Sequence, residues 1–350
     1  MDSGQKPTAD ALRRMLHKYV PAGLHDPVSL ARRLLRTRDP AAIFALKAAA
    51  IGPFALPLDL AFSPFERARY RRASSPRQPV VLVCGPARSG TTLVAQLLIH
   101  GFKVSYLPNL TSVFPTSPLT AMALFGQPSP NPAVPPFQSF YGRTRTWAGP
   151  NDGLYLWDRW LGRDRSRPPI KLAKEAEREM PAFFGALESM TARPFLGKNN
   201  ALNASAHLIA DVLPTARFIC LERNKLRLAA SLYWARLQIQ GTTAIPYGLM
   251  PAERPTGEDP IEDICRQVLF HEALAHTQVE RLGSKRFCLV KFEDVCRDPS
   301  SFLEKVGRDF FGESPDFSAL RRHWVQPHES RPLDPQVAAR FERTFDRLTR

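Results

Sequence analysis

The hydrophobic pattern changes period twice between residues 79 and 101. PVVLVC (79–84) is continuously apolar, as in a strand buried on both faces. SGTTLVAQLLIHG follows, placing Leu93, Val94, Leu97 and Leu98 on one helical face, with Gly101 as its stop. The alternation recurs downstream. RFICLE (217–222) predicts a second strand and KLRLAASLYWARLQ the helix after it; IEDICRQVLFHEALAHTQVERL predicts a long helix. RFCLVKFED (286–294) predicts a third strand, and Asp298-Pro299 the cap and first residue of the helix SSFLEKVGRDFFG. Strands that alternate with helices predict an α/β domain around a mostly parallel sheet covered on both faces. No internal repeat is visible.

Upstream, residues 8–50 are patterned as amphipathic helix, most clearly in ALRRMLHKYV and VSLARRLLRTR. Residues 41–62, AAIFALKAAAIGPFALPLDLAF, are apolar but interrupted by Lys47, Pro53, Pro57 and Asp59. A spanning helix needs about 20 largely uncharged residues, so this segment is not expected to cross a membrane. RARYRRASSPRQ (67–78) reads as a basic linker, and the eight prolines of residues 108–136 predict irregular structure, a lid or binding loop. The organisation expected is a helical, basic N-terminal extension over 1–75 and an α/β domain over 76–350 with a proline-rich lid near 108–150.

Charge sharpens this picture. The 350-residue chain carries a net charge of +15, and residues 1–75 hold 13 Lys/Arg against 6 Asp/Glu. A basic excess calls for an anionic partner, whether nucleotide, acidic sugar, nucleic acid or membrane surface. No aromatic–basic recognition module supports nucleic acid. Residues 41–62 have two placements. One is a helix pair packed on the domain. The other is a segment lying in the bilayer interface, with Arg32, Arg33, Arg36 and Arg38 before it and Arg67, Arg69, Arg71 and Arg72 after it on anionic head groups. Of the five cysteines, Cys84, Cys220 and Cys288 fall in apolar runs, while Cys265 and Cys296 complete the set without a CxxC pair. That usage predicts a reducing compartment and no metal site. The polar start MDSGQKPTAD predicts no cleavable signal. The expected location is cytoplasmic, with peripheral attachment to the inner face of the membrane under the second placement.

The chemistry starts at CGPARSGTTL. Gly85-x-x-x-x-Gly90 between a strand and a helix aims backbone N–H groups and a helix dipole at one point, where an anion binds. Nucleotide triphosphatases place lysine after the second glycine. Here Thr91-Thr92 stands there, and Arg88 supplies charge from within the loop. The stretch GPARSGTTL resembles the 5′-phosphosulfate loop of sulfotransferases that use 3′-phosphoadenosine 5′-phosphosulfate (PAPS). A second match strengthens it: Arg223 follows the strand RFICLE and Ser231 lies eight residues on, the spacing of that family's 3′-phosphate site. FLGKNNALNA resembles the family's strand-ending lysine segment and gives Lys198, and VKFEDVCRDP resembles a segment near the end of its fold. The resemblance covers roughly residues 79–310.

This resemblance implies a P-loop-like three-layer α/β sandwich and in-line transfer of a sulfuryl group from PAPS to a hydroxyl or amine of a glycan, lipid or small molecule, without a metal. Gly85, Pro86, Ala87, Arg88, Ser89, Gly90, Thr91 and Thr92 would hold the 5′-phosphosulfate, and Arg223 with Ser231 the 3′-phosphate. Arg88 and Lys198 would stabilise charge on the bridging oxygen. The chain departs from the family's pattern at Lys225, where proline is usual, at Tyr106-Leu107-Pro108-Asn109, where some branches carry a glutamate, and in lacking a C-terminal glycine-rich clamp. For the base, Asp152 in GPNDGLYLW is the first candidate, followed by Asp158, His100 and His207. Trp147, Trp157 and Trp160 fit either an acceptor pocket or the core; His271 and His276 fit a structural helix. Two other readings remain, an ATP-using P-loop phosphotransferase and a non-enzymatic nucleotide-binding protein of the membrane surface.

Overall fold

The structure, a computed structural model, describes residues 27–126, 137, 139–253, 259–324 and 331–350. Its helices are α1 (Pro27–Thr37), α2 (Pro40–Arg72), α3 (Thr91–Gly101), α4 (Pro118–Phe125), α5 (Leu154–Leu161), α6 (Ala176–Thr191), α7 (Leu202–Val212), α8 (Lys225–Ala235), α9 (Pro260–Leu282), α10 (Phe292–Arg297), α11 (Pro299–Val306), α12 (Ser318–His323) and α13 (Pro335–Thr349). The strands β1 (Val80–Cys84), β2 (Phe195–Lys198), β3 (Ala216–Glu222) and β4 (Phe287–Lys291) form one sheet in the order β2-β1-β3-β4, every pair parallel.

Alternation along the strands divides the core. Val80, Leu82, Phe218 and Cys220 face one side with Phe183 and Phe184 of α6 and Ile209 of α7. Val81, Val83, Ile219 and Leu221 face the other with Val94, Leu97 and Leu98 of α3 and Leu303 of α11. Helices on both faces make the three layers expected for a parallel sheet whose strands are apolar throughout. The register sets the functional edge. Val83 pairs with Lys198 and Cys84 with Cys220, so β1 and β2 end within one residue of each other and β3 runs on two residues to Glu222. Ligands of α/β folds bind at that carboxyl edge.

Four expectations are corrected. Residues 41–62 are neither broken nor a helix pair, and 67–72 are not linker, because α2 runs unbroken through both. Asp39 starts it, accepting from the Ala41 and Ala42 amides at 2.8 and 3.1 Å. Pro53, Pro57 and Pro64 all lie on exposed positions, so the carbonyls that lose a donor turn to water rather than to the core. Asp59 is an anchor rather than an interruption. Its buried carboxylate accepts from the amides of Thr116 and Ser117 at 3.1 and 2.9 Å and from Ser117 Oγ at 2.5 Å. Two turns on, Glu66 accepts from the Leu119 and Thr120 amides at 3.2 and 2.8 Å. The two acids thus tie α2 to the N-terminus of α4, whose first-turn donors need acceptors.

The proline-rich stretch is also more regular than expected, with a 3-10 turn at Asn109–Val113 and α4 itself, which begins on Pro118 because a first-turn proline lacks only an N–H that would be unpaired anyway. Residues 127–136 and 138 of that stretch, and the helix expected over 11–20, lie outside the described residues. The predicted strand 286–294 stops at Lys291 and turns directly into α10. The helix expected over 225–238 is α-helical only to Ala235 and widens into a π-turn at Arg236–Gln240, where fully buried Arg236 pairs with Asp263 at 2.6 Å and donates to Gln267 at 3.0 Å. Elsewhere the expectation holds: Asp298 accepts from the Ser301 amide at 2.9 Å and caps α11.

Candidate functional site

The loop between β1 and α3 is held by positions that exclude side chains. Gly85 has φ +132°, and a Cβ there would lie 2.7 Å from the Leu221 carbonyl oxygen. Gly90 has φ +97°, and a Cβ there would fall 2.1 Å from the Phe292 ring. Arg88 adopts φ 75° between them, a left-handed conformation uncommon for a residue other than glycine, which turns its side chain to the open side of the loop. Beneath it the hydroxyl of Ser89 is buried, with no hydrogen-bond partner among the described residues. Thr91 Oγ1 donates to Asn200 Oδ1 at 2.8 Å, joining the loop to the end of β2.

Arg88 lies at the centre of a cationic cluster. Its Nε donates to Ser231 Oγ at 3.2 Å, and its guanidinium stands 4.5 Å from the centre of the Tyr141 ring. Arg223, just past β3, donates from Nη1 to the Arg88 carbonyl at 2.7 Å and lies 5.3 Å over the Phe292 ring. Burial, and then the neighbouring Arg88 guanidinium, push the Arg223 pKa down. Burial raises the Tyr141 hydroxyl while Arg88 opposes the rise. Two like charges held together at the end of a helix dipole create a strong demand for an anion.

Lys198, at the last position of β2, is almost fully buried. Its Nζ pairs with Asp152 Oδ1 at 2.5 Å. Gly142 roofs this corner: a Cβ there would lie 3.3 Å from Lys198 Nζ and 3.6 Å from Thr92 Oγ1. Together these groups line a cleft of about 1980 Å³. Its floor is the β1–α3 loop, its roof the segment 139–152, and one wall is α2, which contributes Phe44, Ala48 and Gly52.

The residues that the resemblance assigns to the donor, together with Lys198 and Asp152, come together here. Arg88, Gly90, Thr91, Thr92, Ala87, Asp152, Lys198, Arg223 and Ser231 line the cleft, and Gly85, Pro86 and Ser89 lie buried behind it. Among the other candidate bases, Asp158 also reaches the cleft but is gripped by Arg165 through two bonds of 2.7 and 2.6 Å. The histidines are elsewhere. His100 packs edge-on against Phe137, and burial followed by nearby His323 lowers its pKa. The His207 ring is hydrogen-bonded to Gln278 at 3.0 Å. Trp160 is core, Trp157 is buried beside the cleft, and Trp147 meets Phe44 edge-on with ring centres 5.0 Å apart. Sequence reasoning missed Tyr141, Asn200 and Phe292. Asn200 has a local signal, two residues beyond the strand-ending lysine. Tyr141 sits in an aperiodic segment and has none.

The arrangement can hold a phosphorylated or sulfated group between Arg88, Arg223 and the loop amides, and can move a proton near Asp152 and Lys198. Among the described residues no group of three His, Cys, Asp or Glu is placed to hold a metal ion.

The chain is similar in structure to solved sulfotransferases. The sulfotransferase STF9 from Mycobacterium avium superposes with a TM-score of 0.53 at 15% identity, over 100% of this chain and 90% of its own. The sulfotransferase STF1 from Mycobacterium tuberculosis H37Rv gives 0.49 at 13% identity, over 97% and 98%. At 15% identity the likeness to STF9 is one of fold. No curated protein matches the chain in sequence. The sequence signature of the sulfotransferase family matches residues 79–316, which include the loop, Asp152, Lys198, Arg223 and Ser231. With that match over most of its length, the chain belongs to the sulfotransferase family.

Proposed function

We propose that the protein transfers the sulfuryl group of PAPS to a hydroxyl acceptor. The observation that carries this reading is the juxtaposition of Arg88 and Arg223 around Ser231 and the orphaned Ser89 hydroxyl. A donor with phosphate at both the 5′ and 3′ positions supplies two anions to such a cluster, whereas ATP and AMP lack the 3′ group. In this reading the loop amides, Ser89, Thr91 and Thr92 hold the 5′-phosphosulfate, and Arg223 with Ser231 holds the 3′-phosphate. The glycine positions fit the cradle, since a Cβ at 85 or 90 would collide with the loop's own supports.

The acceptor oxygen attacks sulfur in line as the sulfur–oxygen bond to adenosine 3′,5′-bisphosphate breaks. Negative charge grows on the bridging oxygen, and in this reading Arg88 and Lys198 meet it. Asp152, beside Lys198, takes the acceptor's proton. Movement of Lys198 from Asp152 to the donor's bridging oxygen frees that carboxylate at the moment it is needed.

Calorimetry tests the donor. Adenosine 3′,5′-bisphosphate is expected to bind more tightly than AMP or ATP, and Arg223→Ala to remove most of the preference over AMP, about 1.5–3 kcal/mol for a charged hydrogen bond. Equal affinity for adenosine 3′,5′-bisphosphate and AMP in the intact protein overturns the reading, and preference for ATP replaces it with phosphoryl transfer.

A further inference from the structure

Helix α2 packs one side on the domain and leaves another bare. Ile51, Phe54, Leu58 and Phe65 recur at spacings of three, four and seven, so they form one stripe, with exposures of 43, 85, 42 and 63%. Leu124 and Phe125 at the end of α4 are 60 and 55% exposed, and the Phe125 ring lies 6.4 Å from Phe62 of α2, which widens the apolar surface. A contiguous patch of this kind marks an interaction site. The charges that α2 leaves outside the core are of one sign. Lys47 falls on the stripe one turn before Ile51, and Arg69 and Arg72 fall on it after Phe65. The two acids of α2, Asp59 and Glu66, are buried on the packed side.

We infer that this stripe rests on an anionic lipid bilayer, with α2 parallel to the surface, and that the sulfuryl acceptor is an amphiphile held in the same bilayer; the second half rests on the transfer reading above. Charge decides the occupant. If two copies paired through the stripe, Lys47 would face Arg69 in the antiparallel arrangement and its own counterpart in the parallel one, like charges in either case. Lipid phosphates instead meet every cation, and acyl chains take the phenylalanines. By length and composition α2 also passes for a spanning helix. It cannot cross in this fold, because Asp59 and Glu66 bind the backbone of residues 116–120. The same helix walls the cleft through Phe44, Ala48 and Gly52, so a head group anchored in the bilayer has a short way in.

Flotation of the full chain with phosphatidylcholine vesicles, with and without phosphatidylglycerol, tests the surface. The protein is expected to float with the anionic vesicles and to dissociate as salt rises. The double variant Phe54→Ser/Phe65→Ser is expected to lower partitioning more than tenfold, and Arg69→Gln and Arg72→Gln about fivefold each. Unchanged circular dichroism and unchanged adenosine 3′,5′-bisphosphate affinity in these variants separate failure here from misfolding and from failure of the transfer reading. A wild type that ignores anionic vesicles, variants that float as well as wild type, or a dimer broken by Phe54→Ser/Phe65→Ser overturns the surface. With sulfur-labelled PAPS and vesicles of a total lipid extract, label is expected in the organic phase; label confined to the aqueous phase overturns the acceptor.

Discussion

Lys198 Nζ lies 2.5 Å from Asp152 Oδ1, so the last residue of β2 is tied to the segment that roofs the cleft. The lysine side chain is 5% exposed and the aspartate 24%, so the carboxylate is the more open half of the pair. Under the proposed mechanism the two act in sequence, and their substitution is expected to be non-additive. Asp152→Asn is expected to lower turnover about 10²–10⁴-fold and Lys198→Ala about 10²–10³-fold, with the double variant well short of the product. Single-turnover transfer measured across the double-mutant cycle checks this; strictly additive losses would separate the two roles.

Arg88 and Ser231 are hydrogen-bonded but are expected to fail differently. Arg88→Ala removes a cation from the bridging oxygen and should lower turnover about 10²–10³-fold with a smaller change in donor affinity. Ser231→Ala should weaken binding of adenosine 3′,5′-bisphosphate while leaving AMP unaffected. A normal turnover with weakened donor binding in Arg88→Ala would reassign Arg88 to ground-state binding.

Gly90 is expected to be intolerant of any side chain. Gly90→Ala meets both a φ of +97° and the Phe292 ring, strain of about 1–3 kcal/mol before the collision is counted. Donor binding should be lost by calorimetry. Phe292→Ala added to Gly90→Ala should recover it only in part, since the ring's removal leaves the backbone conformation unfavourable.

Asp59 is expected to matter for stability although it lies far from the cleft floor. Asp59→Ala leaves the buried amides of Thr116 and Ser117 without their acceptor, at a cost of about 1–3 kcal/mol for each group left unpaired. Thermal unfolding should show the loss, and proteolysis should cut first near residues 116–126, where α4 loses its tie to α2.

His271 is expected to make the fold acid-sensitive. Its buried ring accepts from Asn203 Nδ2 at 2.9 Å and donates to the Leu249 carbonyl at 3.1 Å. Burial lowers its pKa from 6.5 to about 4. The unfolded chain therefore takes up this proton first, so the contribution is complete above pH 6.5 and is lost as pH falls toward 4, by roughly 3 kcal/mol in all. Denaturant melts across that range should show the slope, and His271→Asn should flatten it.

Most of the sheet and the anion loop were legible in the sequence. Buried parallel strands are apolar without interruption, and a loop that must pass its backbone close to a ligand needs glycine at fixed spacing, so both leave local signals at Val80–Cys84 and at Gly85 and Gly90. Arg223 and Ser231 were singled out by their spacing's resemblance to a family site, and the structure brings both to Arg88. What the sequence alone misjudged was decided by contacts between distant segments. A lysine, two prolines and an aspartate inside residues 41–62 look like interruptions. They become part of one helix because the prolines face solvent and Asp59 finds donors at Thr116 and Ser117. The surroundings of the four candidate bases likewise depend on tertiary placement, which brings Asp152 to Lys198, occupies Asp158 with Arg165 and leaves His100 and His207 away from the cleft. Tyr141 came to Arg88 with no local pattern at all, because a ring over a guanidinium depends on where two loops meet and not on the period of either.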